Sequence, residues 1–230
     1  MTEILITGAS RGIGLTLTKH LLAKQYQVLG MSRTQPAIQD QNFFYQQADF
    51  SKLSKNTAFF DLLVKDYPQI NTLVCNAGVG RFAHLEEFSY SQIREIFEVN
   101  FLAHSYLVRA YLPLFKKRAS GKIIFVGSEA ALKGQKKGAL YCASKFALRG
   151  FAQALREECA THGVAVSIVN PGMIANSFYD ELHFRPGSEP SEHLTTEDAV
   201  QAILYLLEGR AGCVIDEINL SPQKKKISFS

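Results

Sequence analysis

Tyr141 and Lys145 stand four residues apart in the run Tyr-Cys-Ala-Ser-Lys, and Ser128 precedes the tyrosine by thirteen positions. On a helix that spacing sets the phenol and the ammonium one turn apart on one face. A free tyrosine titrates near 10. A cation about 6 Å away favours its phenolate by roughly 3 kcal/mol at an effective dielectric near 20, or about two pKa units. A phenol tuned in this way is the proton donor and acceptor that carbonyl–alcohol interconversion requires. The same spacing also occurs on exposed helix faces that do no chemistry, so its meaning rests on the rest of the chain.

A second group of residues is suited to an anion. Thr7-Gly8-Ala9-Ser10-Arg11-Gly12-Ile13-Gly14 follows a short apolar run and leads into a helical pattern. Gly8 permits a tight turn, Gly12 lets backbone approach a diphosphate, and Gly14 allows close helix–sheet packing, while the helix start offers N–H groups to the anion. No Gly-Lys-Ser/Thr follows, which excludes a P-loop. The second strand runs out into Met31-Ser32-Arg33-Thr34. An NAD site usually carries an acid there for the ribose 2′-hydroxyl. Ser32, Arg33 and Arg11 instead suit a 2′-phosphate, held by charge-assisted hydrogen bonds, and predict NADP(H) in preference to NAD(H). Arg33 as a solvated loop charge is the other reading, and it leaves the missing acid unexplained. Asp49, followed by Phe50, either accepts from the adenine amino group or caps a helix at Ser51.

The elements that must position these residues alternate along the whole chain. Short apolar runs at Glu3–Thr7, Gln27–Met31, Phe43–Ala48, Thr72–Cys75, Lys122–Val126, Ala165–Val169 and Cys213–Ile218 have the character of parallel strands buried on both faces. Helical patterns lie near 12–24, 51–66, 89–117, 141–161 and 196–208. The last opens with a threonine cap followed by an acid three residues on. Regular βα alternation without a linker predicts one doubly wound α/β domain over residues 1–222, a mainly seven-stranded parallel sheet with helices on both faces, and a basic tail over 223–230. Ligands of such sheets bind beyond the carboxyl ends of the strands.

The glycine loop, Asn76-Ala77-Gly78, Asn100, Ser128, Tyr141, Lys145 and Pro171-Gly172 occur in that order, and in this the chain resembles a short-chain dehydrogenase/reductase from Ile4 to about Leu220. The resemblance implies a Rossmann fold and hydride transfer between a nicotinamide and a carbonyl or secondary alcohol. It also implies a catalytic tetrad of Asn100, Ser128, Tyr141 and Lys145. Tyr141 would exchange the proton and Ser128 would bind the substrate oxygen. Lys145 would hold the nicotinamide ribose and lower the tyrosine pKa, and Asn100 would hold a water through its carbonyl. Cofactor contacts are expected from Gly8, Ser10, Arg11, Gly12, Ile13, Gly14, Ser32, Arg33, Asp49, Phe50, Asn76, Ala77, Gly78, Tyr141, Lys145, Pro171, Gly172 and Ile174. Taken singly, Asn100 caps or kinks its helix equally well, and Ser128 and Pro171-Gly172 serve as turn residues. The pattern departs from the family where Asn176 and Ser177 replace the usual threonine after Pro-Gly. The segment from Gly172 to Thr195 is short for a lid, and Ser221-Pro222-Gln223 with three lysines replaces a glycine-rich ending.

Substrate loops are expected at 79–88, 129–140 and 173–194. Phe82, Leu132, Met173, Ile174, Phe178, Tyr179 and Phe184 suggest a partly hydrophobic substrate. Lys133, Lys136, Lys137, His183 and Arg185 either attract an acidic group or form a solvated loop, and Lys224–Lys226 reads most simply as solvated. A net charge of +4 with scattered basic residues argues against nucleic acid as the main partner. No run is long and apolar enough for a membrane span, and the first strand starts too early to leave room for a signal peptide. Cys75, Cys142, Cys159 and Cys213 are isolated, which predicts reduced thiols in a cytoplasmic protein and no metal site. The predicted protein is thus an NADP(H)-dependent oxidoreductase on a small-molecule carbonyl or alcohol, and by the resemblance a homodimer or homotetramer. A catalytically silent NADPH-binding regulator is the alternative.

Overall fold

In the computed structural model, which describes residues 3–53, 56–210 and 212–229, seven parallel strands form one sheet. The first strand, β1 (Ile4–Thr7), lies in its interior and is wholly buried. Its side chains alternate between two cores. Leu5 joins Leu73, Phe125, Tyr111 and Phe115 on one face, while Ile4 and Ile6 join Leu17, Val74 and Ile203 on the other. Burial on both faces is why these strands read as continuous apolar runs rather than as alternation. Emptying such a position to alanine costs about 2–5 kcal/mol.

From β1 the chain passes through α1 (Gly12–Ala23) to β2 (Val28–Ser32) and then β3 (Phe43–Gln47), building the sheet outward on one side. It returns through α2 (Ala58–Asp66) to β4 (Thr72–Cys75), which pairs with the other edge of β1. The sheet then grows through β5 (Gly121–Val126), β6 (Val164–Pro171) and β8 (Glu217–Leu220), giving the order β3-β2-β1-β4-β5-β6-β8. The reversal of winding between β1 and β4 opens a crevice at their carboxyl ends, where open α/β sheets bind ligands. On the flanks lie α3 (Tyr90–Phe97), α4 (Ala103–Arg118), α5 (Ala139–Cys159) and α6 (Thr196–Glu208), the last opened by a Thr195–Asp198 capping box.

Four elements differ from the sequence expectation. The helix predicted over 51–66 starts only at Ala58, because Asp49 ties Ser51 into a turn; residues 54–55 of that prediction lie outside the described residues. The long helix expected over 89–117 is interrupted by a π-helical turn at Glu98–Leu102, in which the Ala103 N–H reaches back to the Glu98 carbonyl. The last sheet strand is not Cys213–Ile218 but Glu217–Leu220, where Glu217 and Asn219 both accept from the Asn170 amide on β6. Polar pairing, invisible in an apolar count, sets that register. Finally, the supposed solvated lysine tail folds back: β9 (Ile227–Phe229) pairs antiparallel with β7 (Phe184–Pro186).

Candidate active site

The turn after β1 is held by one hydroxyl. Thr7 Oγ1 accepts from the N–H groups of Asn76 (2.9 Å) and Ala77 (3.0 Å), and the Asn76 side-chain amide donates to Thr7 O at 2.9 Å and to Gly8 O at 3.3 Å. This lattice ties β1 to β4 across the crevice and leaves no room for side chains. Gly8 sits at φ +72, and a Cβ on Gly14 would stand 2.2 Å from the Gly8 carbonyl oxygen. Arg11 is the N-cap of α1 and no side chain caps the helix. The first-turn N–H groups therefore face the crevice as donors suited to a diphosphate.

A cleft of about 570 Å³ runs from here past the end of β2 to the end of β5. It is lined by Gly8, Ser10, Arg11, Gly12, Ile13, Ser32, Arg33, Asp49, Phe50, Asn76, Ala77, Gly78, Ser128, Tyr141, Lys145, Pro171, Gly172 and Ile174. Of the predicted site residues, Gly14 and Asn100 lie behind its surface. Asn176 and Ser177 line it, as do Val99, Gly127 and the stretch Thr34–Ala37, which carried no motif and which only the fold brings in. Arg11 and Arg33 are exposed and free to swing towards an anion. Ser32 is buried, and its hydroxyl donates to Thr34 O at 2.8 Å, so its proton is committed to the loop. The Asp49 carboxylate accepts from Ser51 N (3.1 Å) and Ser51 Oγ (2.7 Å). Burial works against its charge, but the Ser51 bonds and Lys52 outweigh that and hold it below the ordinary carboxylate range. Its structural duty is the turn.

At the far end, Tyr141 lies in the first turn of α5 and Lys145 one turn later. Lys145 Nζ stands 5.9 Å from the centre of the phenol ring and donates to Val126 O at 3.0 Å. Ser128 follows β5, and its hydroxyl accepts from Ala130 N at 3.2 Å. Asn100 belongs to the π-helical turn. Its amide oxygen accepts from Val79 N (2.8 Å), and its nitrogen donates to Val79 O (3.0 Å) and Ser144 Oγ (3.0 Å). Ser144 in turn donates to Tyr141 O at 2.7 Å. Asn100 thus braces the loop after β4 against the first turn of α5.

The electrostatics differ from the simple picture of a lysine-lowered phenol. Burial pushes Tyr141 up to about 12, against a hydrogen bond from Ser128, with Cys142 and Glu129 raising it further. Burial likewise pulls Lys145 down to about 8. Desolvation therefore outweighs the attraction estimated for an ammonium 6 Å away, and burial disfavours the charged form of both groups.

Beyond Tyr141 a second cavity, about 850 Å³, shares Ser128, Tyr141, Gly172, Phe178 and Tyr179 with the first. Rings line it: Phe82 packs on Tyr141 (5.0 Å between centroids) and on Phe184 (4.9 Å), and Phe178 lies 6.1 Å from Tyr141. All three predicted substrate loops contribute, including Lys133, Lys136, Lys137 and His183. Ile174 lines the first cleft instead, and Arg185 lines neither. The stretch 219–229, read in the sequence only as an atypical ending, is a fourth contributor. Among the described residues no helix is long and apolar enough to cross a membrane.

Residues 2–183 match the family model described as short chain dehydrogenase. Estradiol 17-beta-dehydrogenase 1 of Rattus norvegicus is 31% identical over 199 residues, covering 81% of this chain and 58% of the relative. The chain thus spans little more than half the length of that relative. A 3-oxoacyl-[acyl-carrier-protein] reductase, FabG, of Buchnera aphidicola is 30% identical over 184 residues, covering 77% of this chain and 75% of its own. The solved alcohol dehydrogenase from the archaeon Thermococcus sibiricus, complexed with 5-hydroxy-NADP, superposes with a TM-score of 0.82 at 23% identity, over 98% of this chain and 99% of that one.

Proposed function

The chain belongs to the short-chain dehydrogenase family, and on that premise we propose that it is an NADP(H)-dependent oxidoreductase interconverting a carbonyl and a secondary alcohol, with Tyr141 as the acid–base group. One observation carries the proposal: Ser128 and Tyr141 stand at the junction of two cavities, an anion-ready cleft and an aromatic chamber. A substrate in the chamber has its polar atom beside the phenol and its carbon facing the cleft. A nicotinamide held in the cleft by Lys145, Asn76–Gly78 and Pro171-Gly172 would supply or accept a hydride there. The remaining work falls to side chains of this chain. Ser128 orients the substrate oxygen and Tyr141 delivers its proton or takes it back. Burial keeps the phenol protonated but makes it a weaker acid, so its proton transfer depends on stabilising the phenolate that is left. Lys145, tied to Val126 O, is placed to bind ribose hydroxyls and to stabilise the phenolate once the proton has left.

Preference for the 2′-phosphorylated cofactor rests on Arg11 and Arg33 at the adenosine end and on the absence of an acid at the close of β2. Isolated free thiols support a cytoplasmic protein, and membership of the short-chain dehydrogenase family supports a homo-oligomer. The test is NADPH oxidation with a panel of ketones, diketones and oxoacyl thioesters, comparing wild type with Tyr141→Phe. The variant should bind NADPH as before and lose about 10²–10⁴-fold in kcat, the usual worth of a positioned acid. Undiminished turnover would remove Tyr141 from that role, and cofactor binding without any turnover by the wild type would favour a silent regulator.

A further inference from the structure

The segment after β8 was expected to be solvated, yet it is stitched down at four points. Lys224 N–H donates to Ser191 O (2.8 Å), and Gly187 N–H donates to Lys226 O (3.0 Å). Lys225 pairs with Glu129 at 2.5 Å, next to the substrate-facing Ser128, and Lys226 pairs with Glu192 at 3.1 Å. These contacts lay β9 alongside β7 with Phe229 opposite Phe184 and Ile227 opposite Pro186. Directly opposed residues project to the same side of an antiparallel pair, so the four form one apolar face. The direction of that face is fixed by Phe184, whose ring meets Phe82 at 4.9 Å and Tyr179 at 5.8 Å, within the wall that ends on Tyr141.

Ile227 and Phe229 line the chamber, yet they are 48% and 82% exposed. Phe229 is thus available to a ligand lying along the chamber side of the ribbon, with Phe184 and Phe82 continuing the same wall. The chamber, at about 850 Å³, lies near the top of the roughly 300–1,000 Å³ span of ligand pockets and is far larger than a small ketone needs. A ribbon of two three-residue strands is marginal by itself, and its ion pairs, with lysines more than half exposed, add little. The part of the ribbon able to act on a ligand is therefore its apolar face, Ile227 and Phe229, rather than its ion pairs.

We propose that Lys224–Phe229 is the specificity element of this enzyme, the outer wall of a chamber that selects elongated apolar carbonyl compounds over small ones. The proposal rests on the reductase assignment above. It is tested with a series of 2-alkanones from butanone to dodecanone, assayed with NADPH for wild type, Phe229→Ala and Ile227→Ala. Neither side chain belongs to the hydrophobic core, so the substitutions leave the core untouched. Wild-type kcat/KM should rise with chain length, and the decanone-to-butanone ratio should fall about ten-fold in Phe229→Ala, mainly through KM, as expected for losing most of one aromatic contact. A ratio unchanged in both variants would overturn the proposal. If the wild type oxidises NADPH with no member of the series and with none of the diketones or oxoacyl thioesters, the reductase assignment fails instead. Calorimetric binding of the matching 2-alkanols then reads the wall directly: affinity that rises with chain length in wild type and flattens in Phe229→Ala supports it, and affinity independent of chain length refutes it.

Discussion

Protonating His104 should destabilise the protein in a narrow and measurable pH window. This histidine is 1% exposed on α4, beneath the Asn76–Gly78 segment, with Nε2 2.8 Å from Ala77 O and its ring 6.4 Å from that of Phe50. The carbonyl can only accept, so the proton of the neutral ring sits on Nε2. Nδ1 has no partner among the described residues, and a second proton there would find no acceptor. Burial pulls the pKa to about 4, partly resisted by the bond to Ala77 O and assisted by the Lys145 charge. Because the folded value lies below the free value near 6.5, the unfolded chain takes the proton first. The stability this represents is present above about pH 6.5 and is lost as the pH falls towards 4. At about 1.4 kcal/mol per unit the whole displacement is worth about 3 kcal/mol, of which roughly 2 kcal/mol falls between pH 7 and pH 5. Urea unfolding at pH 7, 6 and 5, at constant ionic strength, checks it against His104→Gln, whose amide can donate to the same carbonyl but does not titrate. Carboxylates elsewhere titrate alike in both proteins and cancel in the difference. The wild type should lose about 2 kcal/mol more than the variant over that range; parallel losses would refute the reasoning.

Two further outcomes follow from the cofactor end. Gly14→Ala places a methyl 2.2 Å from the Gly8 carbonyl oxygen and should abolish NADPH binding or folding. Gly134→Ala, with nothing within 4 Å of the new carbon, should change neither, as fluorescence titration and thermal melts will report. Arg33→Ala and Arg11→Ala should each weaken NADPH about ten-fold or more while changing NADH affinity little, and equal losses for the two cofactors would contradict a 2′-phosphate grip.

Much of the fold was legible because a doubly wound sheet buries whole strands, and a run such as Ile4–Thr7 can hardly be anything else between a charged residue and a glycine turn. The candidate site was legible for a related reason: the glycine loop after β1 and the Tyr141–Lys145 pair on α5 are each set by spacing within one stretch, which sequence displays directly. What escaped depends on elements far apart in the chain. Glu217 and Asn219 form a strand because Asn170 awaits them, and Lys225 and Lys226 are ordered because Glu129 and Glu192 lie opposite. None of these pairings leaves a local signature. The phenol's pKa escaped for another reason: a sequence shows the neighbouring charge but not the burial, and burial is the larger effect.

The π-helical turn at Glu98–Leu102 makes chain length itself a structural variable. A π turn holds one residue more than an α turn. Removing one residue within Glu98–Leu102 would let the two helical pieces fuse into one regular helix, at the cost of the wide turn that carries Asn100. The surplus residue is what aims the Asn100 amide at Val79, where it pairs with both backbone groups as a strand neighbour would. A homologue that lost it would have to find another peptide-like partner for the loop beside Lys145. Counting residues between Ser89 and Ser120 is therefore a direct way to recognise chains that share this brace, whatever the side chains around it.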